Sequence, residues 1–262
     1  MDILEQLSAH ARKRVEQKKT QIPEEEMRRM AEACRNQKIP SFHDALAKPQ
    51  MSFICECKKA SPSKGLIAPE FPYLEIARSY QDAGADAISC LTEPKWFLGS
   101  DTYLKEIAEA VNIPVLRKDF TVDPYMIYEA KVLGASAVLL IVSILSEKEL
   151  KEYLRITEEL GLSALTETHD EAEVKLAQDC GAKIIGVNNR CLRDFKVDPS
   201  NSIRLRSLIN DDVLMVAESG IKTREDVLVL QQNGIHGVLI GETLMKAEDR
   251  KKKLRELKGE TV

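Results

Sequence analysis

The chain has 262 residues, a length that a single α/β barrel of roughly 200–250 residues can account for. With 44% apolar residues and a formal net charge of −4, it has too much core material for disorder and no general attraction to nucleic acid or an anionic membrane, so an anionic substrate needs a local cationic pocket. Six Cys without a C-x-x-C pair, only Cys55 and Cys57 lying near each other, and four scattered His argue against a disulfide framework or a zinc site and for small buried thiols in a reducing cytosol.

In chain order, the opening stretch MDILEQLSAHARKRVEQKK is charged throughout and has no apolar centre of the signal-peptide kind, so a cytoplasmic location is expected. Asp2–Lys19 and Glu24–Asn36 read as helices split by Ile22-Pro23, the first with an apolar stripe of Ile3, Leu4 and Leu7. Short apolar runs follow at Phe53–Lys58, Ala87–Thr92, Pro114–Lys118, Ala137–Val142, Ser163–Glu167, Ile184–Asn188, Val213–Glu218 and Gly237–Gly241, continuous enough to be strands buried on both faces. Helical patterns separate them at Pro72–Ala83, Thr102–Val111, Pro124–Leu133, Glu147–Leu160, Asp170–Cys180, Pro199–Leu208 and Thr223–Asn233. Ser146, Asp170 and Thr223 each precede an acidic first turn, as N-caps do. The longest apolar run, Val132 to Leu145, is too short to cross a bilayer comfortably and contains Gly134 and Ser136, so it reads as helix end, turn and strand.

Gly84-Ala85, Gly134-Ala135, Gly181-Ala182 and Gly234-Ile235 recur about every 50 residues, or two βα units, each pair ending a helix before a strand. Eight strands alternating with helices close most simply into a (β/α)8 TIM barrel, with a doubly wound sheet as the alternative. The expectation is one domain over residues 1–262, of which 1–50 form an N-terminal helical extension. The stripe on its first helix is too small to fold alone and must dock. A lid over the C-terminal mouth of the barrel is expected, a brace on the opposite face being the other possibility.

Barrel active sites gather at the C-terminal strand ends, where charge is costly unless used. Period two puts Ile54, Glu56 and Lys58 on one face of the first strand, with Cys55 and Cys57 turned to the other. The third ends in Arg117-Lys118-Asp119-Phe120, the fifth in Thr166-Glu167-Thr168, the sixth in Asn188-Asn189-Arg190 and the seventh in Glu218-Ser219-Gly220. A rim of structural ion pairs could account for any one of these, but their convergence suits acid–base chemistry on a polar substrate. Glycine-containing turns at Ser219-Gly220 and Gly241-Glu242, after strands seven and eight, stand where barrels commonly hold a phosphate.

These residues resemble the indole-3-glycerol phosphate synthase family along nearly the whole chain. Glu56-Cys57-Lys58-Lys59-Ala60-Ser61-Pro62-Ser63-Lys64-Gly65 is similar to its E-x-K-x-x-S-P-S-x-G signature. Leu91-Thr92-Glu93, Trp96–Ser100, Arg117–Phe120, Thr166-Glu167, Gly186–Arg190, Ala217–Ile221 and Leu239–Glu242 follow in order. The resemblance implies a carboxy-lyase of tryptophan biosynthesis, closing the indole ring of 1-(2-carboxyphenylamino)-1-deoxyribulose 5-phosphate without metal or organic cofactor. It implies Lys118 as general acid on the ribulose carbonyl and Glu167 as acid/base in loss of water. Lys58 would pair with the anthranilate carboxylate and serve as a second proton source. Glu56 would orient the lysines, and Asn188 and Glu218 would hold hydroxyls and the carbonyl region. Ser61, Arg190, Ser219, Gly220, Gly241 and Glu242 would surround the phosphate, the last three of the glycine turns mainly through backbone. Phe97, Phe120 and Leu139 would sandwich the aromatic ring, unless they are ordinary core. Neither nucleic acid nor membrane is an expected partner, while association with other enzymes of the pathway would fit.

Two departures stand out: Cys191 and Asp194 in the loop after strand six, the latter adding negative charge near the expected phosphate. Two rivals remain. A phosphoribosylanthranilate isomerase needs a Cys base after strand one and an Asp acid after strand six, where this chain has Lys58 and Asn188. A non-catalytic barrel binding phosphorylated metabolites would keep the glycine turns but has no need of Lys118 with Glu167.

Overall fold

The computed structural model describes residues 3–191 and 195–260. Eight parallel strands form a closed barrel: β1 (Ser52–Cys57), β2 (Ala87–Leu91), β3 (Val115–Lys118), β4 (Ala137–Ile141), β5 (Ser163–Thr168), β6 (Ile184–Asn188), β7 (Leu214–Glu218) and β8 (Gly237–Ile240). Each strand pairs with its neighbours in sequence, and β8 returns to β1 with Ser52 level with Gly237. This is a (β/α)8 TIM barrel, and the doubly wound alternative falls. Strand boundaries agree with the apolar runs to within a residue, because strands buried on both faces leave an uninterrupted apolar signal.

Alternation sorts the side chains. Ile54, Leu116, Leu165, Ile184 and Val216 point inward and fill the barrel; Cys55, Cys57, Cys90, Val138 and Ile185 point outward under the helices. Cys57 therefore turns away from the mouth, as the period-two reading requires. Burial raises its thiol pKa, as it does for Cys55 and Cys90. Not every cysteine is a buried hydrophobe: Cys34 and Cys180 are half-buried and Cys191 is exposed.

The outer ring comprises α4 (Tyr73–Asp82), α5 (Asp101–Ala110), α6 (Pro124–Val132), α7 (Glu147–Glu159), α8 (Glu171–Asp179), α9 (Ser200–Arg206) and α10 (Arg224–Gln232), with α11 (Glu242–Met245) and α12 (Arg250–Lys258) after β8. Ser146, Asp170 and Thr223 accept the expected N-cap hydrogen bonds, the first and last within capping boxes. The four repeated glycines all lie at positive φ, which explains the repeat.

The extension divides between the two barrel ends. α1 (Ile3–Gln21) buries Leu7, Ala11 and Val15, so its stripe runs further than Ile3, Leu4 and Leu7. It crosses the C-terminal mouth, where Ile3, Leu4 and Leu7 face the interior cavity. α2 (Glu24–Ala33) packs against α6. A short helix not apparent in the sequence, α3 (Phe42–Leu46), plugs the other end: Phe42 and Leu46 are fully buried in the inner core, and Ser52 Oγ donates to the Ala45 carbonyl at 3.1 Å. Lid and plug thus come from one extension.

Charge fixes the lid. Arg14 donates to both oxygens of buried Asp119, at 2.7 and 3.1 Å, while Lys18 pairs with Asp101 and with Glu129. Arg117, 1% exposed, points out of the barrel and binds Asp101 at 2.9 Å, Glu129 at 2.7 Å and the Met126 carbonyl at 2.9 Å. The residues on either side of Lys118 are therefore clamped from outside and above. Among the described residues no helix is long and apolar enough to cross a membrane.

Candidate active site

The inward face of each strand reaches the mouth with its last residues, and there the apolar filling gives way to charge. All fifteen side chains and glycines singled out from the sequence line one cavity of about 590 Å³. Its centre is Lys118, whose Nζ lies 2.9 Å from Glu167 Oε2 and 3.2 Å from Glu218 Oε2. Asn188 Nδ2 donates to Glu167 Oε1 at 3.2 Å and its own Oδ1 accepts from the Arg190 backbone N–H at 3.0 Å. Across the cavity, Lys58 Nζ lies 2.5 Å from Glu56 Oε1, and Ser89 Oγ donates to Glu56 Oε2 at 3.2 Å.

Two glycines make room for these carboxylates. A Cβ on Gly186 would stand 2.3 Å from Glu218 Oε1, and one on Gly241 would stand 2.5 Å from Glu56 Oε1. Gly241 thus makes room for the Glu56 carboxylate, a reason beyond the backbone approach to an anion that the sequence suggests.

Burial and neighbours divide the protonation states. Burial disfavours charge on Lys118, but Glu167, Glu218 and Glu56 outweigh it and raise its pKa, so it stays a cation. Burial would likewise neutralise Glu167, but Lys118 and then His169 hold its pKa well below the ordinary carboxylate range. Glu218 goes the other way: burial, reinforced by Glu167 and only partly offset by Lys118, pushes its pKa up to about 7. Its Oε1 has no hydrogen-bond partner among the described residues. One cation thus sits between an ionised carboxylate and one that exchanges its proton near neutrality, which is the equipment of general acid–base catalysis.

The walls are of two kinds. Phe97 and Phe120 lie with ring centroids 6.1 Å apart, and with Leu139 and the α1 stripe they form an apolar side. Phe97 is held there by Glu93, a buried carboxylate that accepts backbone N–H groups from Lys95, Trp96 and Phe97. The opposite side carries Ser61, Arg190, Ser219, Gly220 and Glu242. Ser219 and Gly220 both have positive φ, +67° and +86°, a conformation held at a cost for a serine and characteristic of functional turns.

The family assignment rests on the whole length of the sequence. The model of the indole-3-glycerol phosphate synthase family matches residues 4–257. The chain belongs to the indole-3-glycerol phosphate synthase family. The synthase of Ruminiclostridium cellulolyticum is 51% identical over 257 residues, covering 98% of this chain and 99% of that one. That of Lachnoclostridium phytofermentans is 49% identical over 268 residues, with 98% and 99% covered. Among solved structures, a 3-hexulose-6-phosphate synthase from Salmonella typhimurium superposes with a TM-score of 0.66 at 16% identity, over 80% of this chain and 97% of that one. A thiamine phosphate pyrophosphorylase from Pyrococcus furiosus reaches 0.60 at 17%, over 80% and 95%. These two show the barrel fold alone.

Seen as a synthase-family site, the mouth holds residues that sequence reading did not single out. Lys64, Lys222 and Lys246 line the cationic side with Arg190. Glu242 gathers three of these cations: Lys246 at 2.7 Å, Lys64 at 3.5 Å and Arg190 at 3.8 Å. Its side chain therefore organises positive charge, in addition to any backbone contact. Lys64 stood within the quoted signature and Lys246 four residues after Glu242, so a helical-spacing argument could have found the latter. His169, directly after β5, contacts Glu167 and was also missed; a lone His carries no sequence signal by itself. Cys191 lies on a second cavity beside the first, while Arg193 and Asp194 fall outside the described residues.

Proposed function

We propose that this chain closes the indole ring of 1-(2-carboxyphenylamino)-1-deoxyribulose 5-phosphate, releasing carbon dioxide and water and leaving indole-3-glycerol phosphate. The observation that carries the reading is Lys118 suspended between Glu167 and Glu218, with Lys58–Glu56 opposite, in a cavity apolar on one side and cationic on the other. An aromatic ring suits the Phe97, Phe120 and Leu139 side, and a phosphate suits Arg190 with the Ser219-Gly220 and Gly241-Glu242 turns. The carboxylate of the anthranilate then falls to Lys58.

The chemistry follows from that pose. The ring carbon bearing the carboxylate attacks the ribulose carbonyl, and Lys118 gives its proton to the oxygen as the new carbon–carbon bond forms. Carbon dioxide leaves, and the electron pair of the broken bond restores the aromatic ring. The new hydroxyl must then depart as water, which takes a proton at oxygen and the loss of one from the methylene carbon beside the nitrogen, so that the carbon–carbon double bond of the indole forms and the N–H is kept. Glu167 serves this step, with Lys58 as the second proton source. Glu56 orients Lys58 and the sugar hydroxyls, while Asn188 and Glu218 hold the carbonyl region. The sequence balances without an oxidant, a reductant or a cofactor. The apolar face of α1 covers the ring and excludes water, which strengthens every charge beneath it. The cytoplasm as compartment, and other enzymes of tryptophan biosynthesis as partners, belong to the same proposal.

The test is fluorescence of the indole product appearing from synthetic substrate, with the isomerase's substrate run in parallel. Turnover of the first alone supports the reading. Turnover of the second alone, or of neither, overturns it.

A further inference from the structure

We infer that His169 is a positioning residue of this site: from the loop after β5 its ring stands against the Glu167 oxygen that Lys118 leaves to others, and Glu173 on α8 anchors it in turn. The inference rests on the proposed role of Glu167. It begins with the helix cap. Asp170 caps α8 by accepting from the Glu173 backbone N–H at 2.9 Å, which brings the Glu173 carboxylate back over the start of the helix. There Glu173 Oε2 accepts from the His169 backbone N–H at 2.8 Å and meets His169 Nδ1 at 3.0 Å. Asn201 Nδ2 donates to the His169 carbonyl at 3.1 Å, so the residue is fixed by backbone and ring together. The other ring nitrogen, Nε2, then faces Glu167 Oε1 at 3.4 Å, the oxygen that also accepts from Asn188. Lys118 occupies Oε2.

Glu167 is thus gripped by a lysine on one oxygen and an imidazole with an amide on the other. Those contacts engage both carboxylate oxygens and favour one orientation, with Oε2 turned to Lys118. The charges facing Glu167 are Lys118 from β3 and Glu218 from β7, with Glu56 on β1 beyond them. Those facing His169 are Glu167 and Glu173, with Asp170 beside it and Glu5, Lys196 and Asp198 around the second cavity, of about 680 Å³, that its far side lines. Burial opposes charge on the imidazole, but the Glu167 and then the Glu173 carboxylates beside it push its pKa up to about 10. His169 is therefore an imidazolium at neutral pH, wedged between two carboxylates, and it supports the ionised form of Glu167 alongside Lys118.

The experiment is a double-mutant cycle with a spectroscopic arm. His169→Gln keeps a neutral donor near the Nε2 position and removes the charge. In the wild-type background it should lower kcat about tenfold or more, with KM within about twofold, because the imidazolium–carboxylate contact with a group acting only in the chemical steps is lost. In the Glu167→Gln background it should cost nothing further. Equal losses in both backgrounds would make His169 merely structural, and a fully active His169→Gln would overturn the inference outright. In parallel, imidazole ¹⁵N spectra of the full-length resting enzyme should show one ring, absent from His169→Gln, doubly protonated at pH 8 and neutral at that pH in Glu167→Gln. A His169 ring already neutral at pH 7 in the wild type would also overturn it. Failure of the assigned reaction is recognised separately, by a wild-type enzyme that makes no indole product while the spectra still report on the His169–Glu167 contact.

Discussion

Replacing Glu218 with Gln should make the protein more stable and the site less able. Glu218 is 2% exposed, and its pKa is pushed up to about 7, against about 4.3 for an unperturbed glutamate. A raised carboxyl pKa means that the folded chain holds a proton that the unfolded chain has already released. Stability contributed by that proton is complete below about pH 4, falls as pH climbs from there, and is gone once pH has passed the folded value near 7. Each pKa unit corresponds to about 1.4 kcal/mol, so the cost of carrying ionised Glu218 at pH 8 is about 2–4 kcal/mol. Gln has nearly the same shape and no charge, and it escapes this cost. For a chain of this size about 2–4 °C of Tm accompanies each kcal/mol, so the variant should melt about 5–10 °C higher than wild type at pH 8. At pH 4 the two should melt together. Thermal melts by circular dichroism at pH 4, 6 and 8 supply the measurement. A variant melting below wild type at every pH would show that the 3.2 Å contact with Lys118 is a net stabilising ion pair and that Glu218 is ionised throughout.

Three further outcomes are expected. Inorganic phosphate and sulfate should compete with substrate, and Arg190→Ala should raise KM about tenfold or more while weakening that competition, since a phosphate loses a charged, hydrogen-bonding partner. Noncompetitive inhibition with an unchanged KM would remove the phosphate from this end. Arg190 is preferable to Gly220→Val as the probe, because a Cβ at Gly220 would lie 2.7 Å from Val197 Cγ1 and its φ of +86° strains any other residue. Deleting residues 1–36 should leave a barrel that still melts cooperatively, but at lower temperature, since Arg14 and Lys18 no longer neutralise Asp119, Asp101 and Glu129. KM should rise and kcat should change with loss of the lid; a truncated protein that melts lower yet turns over normally would reduce α1 to a brace.

How far the sequence reaches depends on how local the cause is. Strand positions and the parity of Glu56 and Lys58 against Cys55 and Cys57 follow from a two-residue period, which depends on no partner. α3 escaped notice because five residues hold no helical period; Phe42 and Leu46 have meaning only once the barrel floor exists. The same period sets Arg117 and Lys118 on opposite faces, but the carboxylates that partner Arg117, Asp101 and Glu129, come from other elements and show only in the fold. The charged strand ends were legible as a set because buried charge is expensive and so rarely placed without use. Their division of labour was not. Glu218 on β7 and Glu167 on β5 are the same residue type at matching strand ends, and three-dimensional surroundings alone set one carboxyl near neutrality and the other far below it. His169 is the plainest case: its contact with Glu167 depends on the α8 cap turning Glu173 back over the loop.

The most direct measurement of the proposed mechanism is the kcat of Lys118→Ala on the synthetic substrate, read by indole fluorescence beside the thermal melt of the same preparation. If Lys118 gives its proton to the ribulose carbonyl, kcat should fall roughly 10²–10⁴-fold while the fold persists. A folded variant that keeps more than about a third of wild-type kcat, where general acid catalysis is worth orders of magnitude, would contradict the account at its centre.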